Sequence, residues 1–234
     1  MSIERSLSEN LKKITYVLLG LSVTGLAMVI FRVISQKNIG FAFLIWNLFL
    51  AWIPFLVSLV MYYINRKQDG TKKRMNLLVM GFIWLIFYPN APYIVTDIIH
   101  LGIYDYYAVQ DYSLSFNSNL IIWFDFILVV FFVFVGYILG HISLYIVHKM
   151  VMERYKKATG WIFVFIVSNL SGFAIYLGRF LRLNSWEVVT NPLILVKKIL
   201  ENINVSSLTF TIVFGSLIFF IYIGLYTLSF LKRD

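Results

Sequence analysis

Long apolar runs constrain this chain more than any other feature. Hydrocarbon offers the backbone no hydrogen-bond partners, so a crossing segment must be a helix of about 20 largely apolar residues. Five segments meet or approach that length: residues 14–31, 41–64, 120–147, 161–181 and 208–231. A sixth, Leu77–Tyr88, is too short alone and ends at Pro89-Asn90-Ala91-Pro92. Continued past the prolines through Tyr93–Leu101, it reaches spanning length as a broken element over 76–101. Composition agrees, with 60% hydrophobic and 13% charged residues, where a soluble surface takes roughly 25% charged. The expectation is one polytopic membrane domain over residues 1–234, an all-α bundle of about six transmembrane helices with the third broken at the Pro-Asn-Ala-Pro turn. The first segment does not read as a cleavable signal peptide, because its apolar run is long and no small-residue cleavage site follows it.

The basic residues set the orientation. Arg5, Lys12 and Lys13 precede the first span, and Arg66, Lys67, Lys72, Lys73 and Arg74 crowd the second loop. No Lys or Arg occurs from Met75 to His148, and then Lys149, Arg154, Lys156 and Lys157 cluster. The tail adds Lys232 and Arg233, while Arg32, Lys37, Arg179, Arg182, Lys197 and Lys198 fall on the opposite side. Cytoplasmic loops carry the basic excess, so both termini are expected in the cytoplasm of a bacterial plasma membrane. The net charge of +9 then reads as topology and contact with anionic lipid rather than nucleic-acid binding.

That orientation puts the third loop, residues 89–119, outside. Its charges are acidic, Asp97, Asp105 and Asp111, with Asp125 at the start of the next span. Tyr104, Tyr106, Tyr107 and Tyr112 suit the headgroup layer, and the loop is long enough to form a small cap. Beyond the fifth span, Asn191-Pro192 signals a helix start. Leu193, Val196, Leu200 and Ile203 recur at helical spacing, which predicts an amphipathic helix over 192–203 lying on the outer leaflet.

Two stretches resemble the signatures of a bacterial membrane family known as domain of unknown function 1361. They are Phe87-Tyr88-Pro89-Asn90-Ala91-Pro92-Tyr93-Ile94-Val95-Thr96-Asp97-Ile98-Ile99-His100-Leu101 and Tyr176-Leu177-Gly178-Arg179-Phe180-Leu181-Arg182-Leu183-Asn184-Ser185-Trp186-Glu187. The likeness runs from about Ala42 to Phe230. It implies a bacterial multi-pass membrane protein and brings no activity, cofactor or catalytic residue.

Several constellations bear on function. Pro89, Asn90 and Pro92 form the structural break, which either lines a substrate site, as half-helix ends do in transporters, or turns an ending helix at the interface. Asp97 and His100, three apart, are the candidate catalytic or proton-relay pair. Their alternatives are helix capping with an interfacial imidazole, or two metal ligands lacking a certain third beyond Asp125 or Glu187. Arg179 and Arg182 stand at the outer end of the fifth span, against the positive-inside trend. They pair with Asp97, Asp125 or Glu187, or they bind an anionic group. With Asn184 these residues make up the candidate binding set. Gly136 and Gly140 form a small-residue step that can face a membrane partner, with His141 beside it. Ser168, Asn169 and Gly172 read the same way, and Asn47 with Trp52 and Pro54 marks a kink and a polar interhelical contact.

The chain has no cysteine and three histidines, with His148 in the basic inner loop, so no metal centre or other cofactor is expected. Phosphate-binding Gly-rich loops, nucleophile elbows and His-Glu-x-x-His pairs are absent. Three functions stay open: a transporter or solute-binding protein with its polar site on the outer face, an outer-leaflet enzyme acting on a lipid-linked substrate, and a non-catalytic scaffold.

Overall fold

The computed structural model describes residues 2–110, 113–183 and 185–229. Asp111, Tyr112, Asn184, Lys232 and Arg233, all used in the sequence reading, lie outside the described residues. In chain order the elements are α1 (Ser2–Gln36), α2 (Phe43–Lys67), α3 (Gly70–Phe87), α4 (Asn90–Tyr93) and a 3₁₀ segment (Ile94–Ile103). Strands β1 (Tyr107–Gln110) and β2 (Ser113–Phe116) follow, then α5 (Leu120–Arg154), α6 (Lys157–Phe180), α7 (Glu187–Thr190), α8 (Pro192–Glu201) and α9 (Val205–Leu228). Among the described residues six helical stretches are long and apolar enough to cross a membrane: Glu9–Gln36, Phe43–Lys67, Gly70–Ile103, Leu120–Arg154, Lys157–Phe180 and Val205–Leu228. The protein is an all-α, multi-pass membrane protein. Among the described residues the one addition is the antiparallel hairpin β1–β2, with Tyr107 opposite Phe116 and Gln110 opposite Ser113, in the loop read as a cap.

The chain divides into two compact units. The first holds residues 1–49 and 94–139. In it Gly25 of α1 lies against Phe132 of α5; a Cβ there would meet the Phe132 ring at 3.0 Å. Gly136 likewise seats Ile94, the first residue of the 3₁₀ segment, at 2.8 Å from an added Cβ.

The second unit holds residues 50–93 and 140–234. Its helices join through small residues and a few hydrogen bonds, the usual means of association where lipid is as apolar as the side chains. Trp84 Nε1 of α3 donates to Ser143 Oγ of α5, and Ser143 Oγ donates to the Pro54 carbonyl of α2, both at 2.8 Å. Pro54, inside α2, thus supplies an acceptor to a neighbouring helix. On α6 and α9, Gly172 and Gly215 bring two backbones together. A Cβ on Gly172 would lie 2.7 Å from the Thr211 carbonyl oxygen, and one on Gly215 2.8 Å from Asn169 Cα.

The break between α3 and α4 is held by its own residues. Pro89 and Pro92 lack the N–H that would continue the helical ladder. The Asn90 side chain donates to the Phe87 carbonyl at 2.9 Å, and the Ala91 N–H donates at 3.1 Å to the Tyr88 carbonyl that Pro92 cannot serve. Ala91, fully buried, packs on Gly140 of α5, where an added Cβ would approach it to 2.8 Å. The small-residue step read as free for a partner is therefore used inside the chain, by Ile94 at Gly136 and by Ala91 at Gly140.

His148 also needs correction. The apolar run ends near Val147, which placed this histidine in a loop, but α5 stays helical to Arg154. Lys149 and Arg154 can continue a helix beyond hydrocarbon because their long stems carry the charge out to water. His148 is buried and shares a 2.8 Å hydrogen bond with Tyr222.

In the stretch read as an amphipathic helix over 192–203, α8 covers Pro192–Glu201, with proline at its first turn. No residue of α8 is buried within the protein, and Leu193 is 85% exposed. An apolar face so exposed fits the headgroup boundary.

Candidate functional site

The chemistry-bearing residues gather in two places, one in each unit. In the first unit α5 begins directly after the acidic loop and carries Asp125 little more than one turn into the helix, where it is fully buried. Arg32, near the end of α1, meets it with a two-pronged contact. Nε lies 2.5 Å from Oδ1 and Nη2 lies 2.9 Å from Oδ2. The Tyr104 hydroxyl donates to the same Oδ2, and Nη2 reaches the Tyr104 oxygen at 3.4 Å. The guanidinium also stands over the Phe41 ring, 5.7 Å from its centre. Planar guanidinium matches carboxylate in this way as lysine cannot.

Tyr106 completes the cluster, with its ring edge-on to those of Tyr104, Trp123 and Phe126. Burial first and the hydrogen bond to Asp125 second push the Tyr104 phenol above its ordinary range. Burial and then the Asp125 charge do the same to Tyr106. Both phenols therefore stay neutral donors beside the carboxylate.

Asp97 is likewise fully buried, in the 3₁₀ segment of the same unit. Its Oδ2 accepts from Asn47 Nδ2 of α2 at 2.7 Å, which is the polar contact that Asn47 provides. The expected Asp97–His100 pair takes a different form. His100 donates from Nδ1 to the Asp97 main-chain carbonyl at 3.1 Å, and its ring lies 4.4 Å from that of Phe43. In a 3₁₀ turn residues three apart eclipse, so the imidazole sits over the backbone of Asp97. Among the described residues no three His, Asp or Glu side chains group so as to hold a metal ion.

In the second unit the two long motifs meet. The Arg179 guanidinium lies over the Tyr93 ring, 4.3 Å from its centre. Gly178 allows this approach, since a Cβ there would lie 3.0 Å from the same ring. Asn90 Nδ2, besides closing α3, donates to Ser185 Oγ at 3.0 Å. Arg182 follows the end of α6 with φ 54° and an exposed side chain. That left-handed conformation commonly ends helices, but glycine usually takes it, and a Cβ costs roughly 1–2 kcal/mol there. Among the described residues Arg182 has no ion-pair partner. Glu187 opens α7 and is half-buried.

Arg32 is the residue that sequence reasoning missed. The sequence reading counts it only as a charge beyond the first span, although its place directly after the apolar run 14–31 is a usable signal. Tyr104, which the sequence places in the headgroup layer, instead bonds the carboxylate. Proximity across ninety-odd residues is not written in any local pattern.

A family model described as "Protein of unknown function (DUF1361)" matches residues 46–221. The chain belongs to this family. The match includes both long motifs together with Asn47, Asp97 and Asp125, and leaves Arg32 outside. No curated protein and no solved structure matches the chain.

Proposed function

We propose that this member of the family sits in a bacterial plasma membrane with both termini cytoplasmic. On its outer side it binds the anionic group of a small or lipid-linked molecule through Arg179 and Arg182. The observation that carries the reading is Arg182. An exposed arginine with no ion pair among the described residues occupies a left-handed backbone position where glycine would be unstrained. Backbone strain of this kind is a pointer toward function. Arg179, three residues earlier and stacked on Tyr93, would offer a second guanidinium of fixed plane. Two such forks suit phosphate or carboxylate oxygens. Asn90 and Ser185 tie the two motifs together beside it, and α8, with Lys197 and Lys198 on an exposed apolar helix, would lie along the same leaflet.

The test is Arg182→Gly in detergent-solubilised full-length protein, with inorganic pyrophosphate as probe. Affinity is expected to fall about tenfold or more, as for loss of one charge-assisted contact, while thermal stability holds or rises. Wild-type affinity in the glycine variant would overturn the reading. If bound pyrophosphate is released unchanged on one side of reconstituted vesicles, the protein transports; if it is cleaved, the protein is an enzyme.

A further inference from the structure

The last turns of α2 bear a shallow groove of about 300 Å³, lined by Leu59, Val60, Tyr63, Ile64, Lys67 and Gln68. Residues four apart form ridges along a helix. Here the ridges are Leu59, Tyr63 and Lys67 on one side and Val60, Ile64 and Gln68 on the other, so the groove runs along the helix axis. The Gln68 N–H donates to the Ile64 carbonyl at 3.1 Å, which carries the second ridge to its end. From residue 59 to 68 the helix rises roughly 14 Å, close to half of the roughly 30 Å hydrocarbon core. The groove is thus about as long as one leaflet's hydrocarbon layer is deep.

Its two ends differ in chemistry. Leu59, Val60 and Ile64 belong to the apolar run 41–64, while Lys67 and Gln68 lie just beyond it. Residues 66–74 hold five basic side chains and one carboxylate, Asp69. Arg66 is paired with Glu153 at 3.2 Å, and Lys73 donates to the Asn65 carbonyl at 2.7 Å. Lys67 has no ion pair among the described residues, and its Nζ stands over the Tyr63 ring, 4.7 Å from the centre. Gln68 Oε1 accepts from Asn76 Nδ2 at 2.8 Å, which leaves its Nε2 as the donor end. An apolar trough one leaflet long, closed by an ammonium and an amide donor, matches the layout of a phospholipid.

We infer that this groove holds one acyl chain of an anionic phospholipid, with the headgroup phosphate on Lys67 Nζ and Gln68 Nε2. Charge favours this occupant over a second copy of the chain. Two identical faces would set the same basic cluster against itself, whereas an anionic headgroup relieves the repulsion. The match holds in whichever leaflet this end of α2 lies, and it is independent of Arg179 and Arg182.

Native mass spectrometry of detergent-solubilised full-length protein reads the affinity of the first bound lipid. The probes are dioleoyl phosphatidylglycerol and dioleoyl phosphatidylcholine, which share their chains and phosphate and differ in net charge. Phosphatidylglycerol is expected to bind more tightly. Lys67→Gln should lower its affinity about fivefold, the effect of one basic residue near an anionic headgroup. Lys72→Gln removes the same charge from an exposed position outside the groove. Screened by salt, that loss should leave affinity within about twofold of wild type. Val60→Trp fills the apolar half and should weaken both lipids, whatever the stability of the lysine variants. Equal affinity for the two lipids, equal effects of the two lysine variants, or wild-type binding by Val60→Trp would overturn the inference. A dimer that Val60→Trp dissociates would overturn it too, and would make the groove an interface between copies.

Discussion

Arg32 and Arg182 lie in different compact units, and the protein treats them in opposite ways. Arg32 is buried against a carboxylate, with a phenol on the same oxygen and an aromatic ring beneath it. Arg182 stands exposed on a backbone conformation that its own Cβ strains. The contrast teaches that a guanidinium near the end of a transmembrane helix is not one kind of feature. One is fixed by its counter-ion and contributes to holding α1 against α5. The other leaves its charge toward solvent at some cost to the helix end.

The contrast can be broken most severely at Asp125. Arg32→Ala or Asp125→Ala removes one partner of a buried pair and should cost about 3–5 kcal/mol, read as a drop in unfolding temperature or loss of monodisperse protein. Replacing both with leucine should recover much of that loss, and a double variant no better than the singles would show that the pair is not the source. Next in size is the glycine contact of the second unit, where Gly172→Leu places atoms against the α9 backbone. Overpacking there should cost about 1–3 kcal/mol or more, whereas Gly224→Ala, with nothing within 4 Å of an added Cβ, should be silent in the same assay.

Tyr104→Phe should cost about 1.5–3 kcal/mol, the range for a hydrogen bond to a charged group. It also carries a pH signature. A folded-state pKa above the unfolded one contributes stability that is fully present below the ordinary tyrosine range and is lost as pH rises through the raised value. Alkaline unfolding should therefore be less steep in Tyr104→Phe than in the wild type, and identical slopes would contradict the burial of this phenol. Smallest is Arg182→Gly, expected to be neutral or to stabilise by up to about 1 kcal/mol, while Arg32→Gly destabilises strongly. Equal effects of the two glycine substitutions would erase the distinction between the two arginines.

Much of the fold was legible because its causes are local. Apolar length places six spans, Pro89 and Pro92 break the third, and Asn191-Pro192 starts α8. The meeting of small residues was also visible in kind, though not in partner. Gly140 reads as a contact step, but nothing near it says that Ala91 of the broken span occupies it. Helix ends were less legible, as His148 shows, because a charged residue can prolong a helix whose apolar run has finished.

The site was legible only as a set of residue types. Asp97, His100, Asp125, Arg179 and Arg182 were all marked as polar groups at one end of the bundle, which follows from hydropathy and the positive-inside asymmetry alone. Which acid meets which base depends on how helices distant in sequence pack and rotate, and those angles are fixed by many weak side-chain contacts acting together. Hydropathy and proline chemistry act within a few residues, so the sequence by itself determined a lipid-embedded bundle with a broken third span. The pairing of Arg32 with Asp125, the seating of His100 over a backbone carbonyl and the strained turn at Arg182 were decided by tertiary packing, because each depends on neighbours or geometry that no short stretch of sequence encodes.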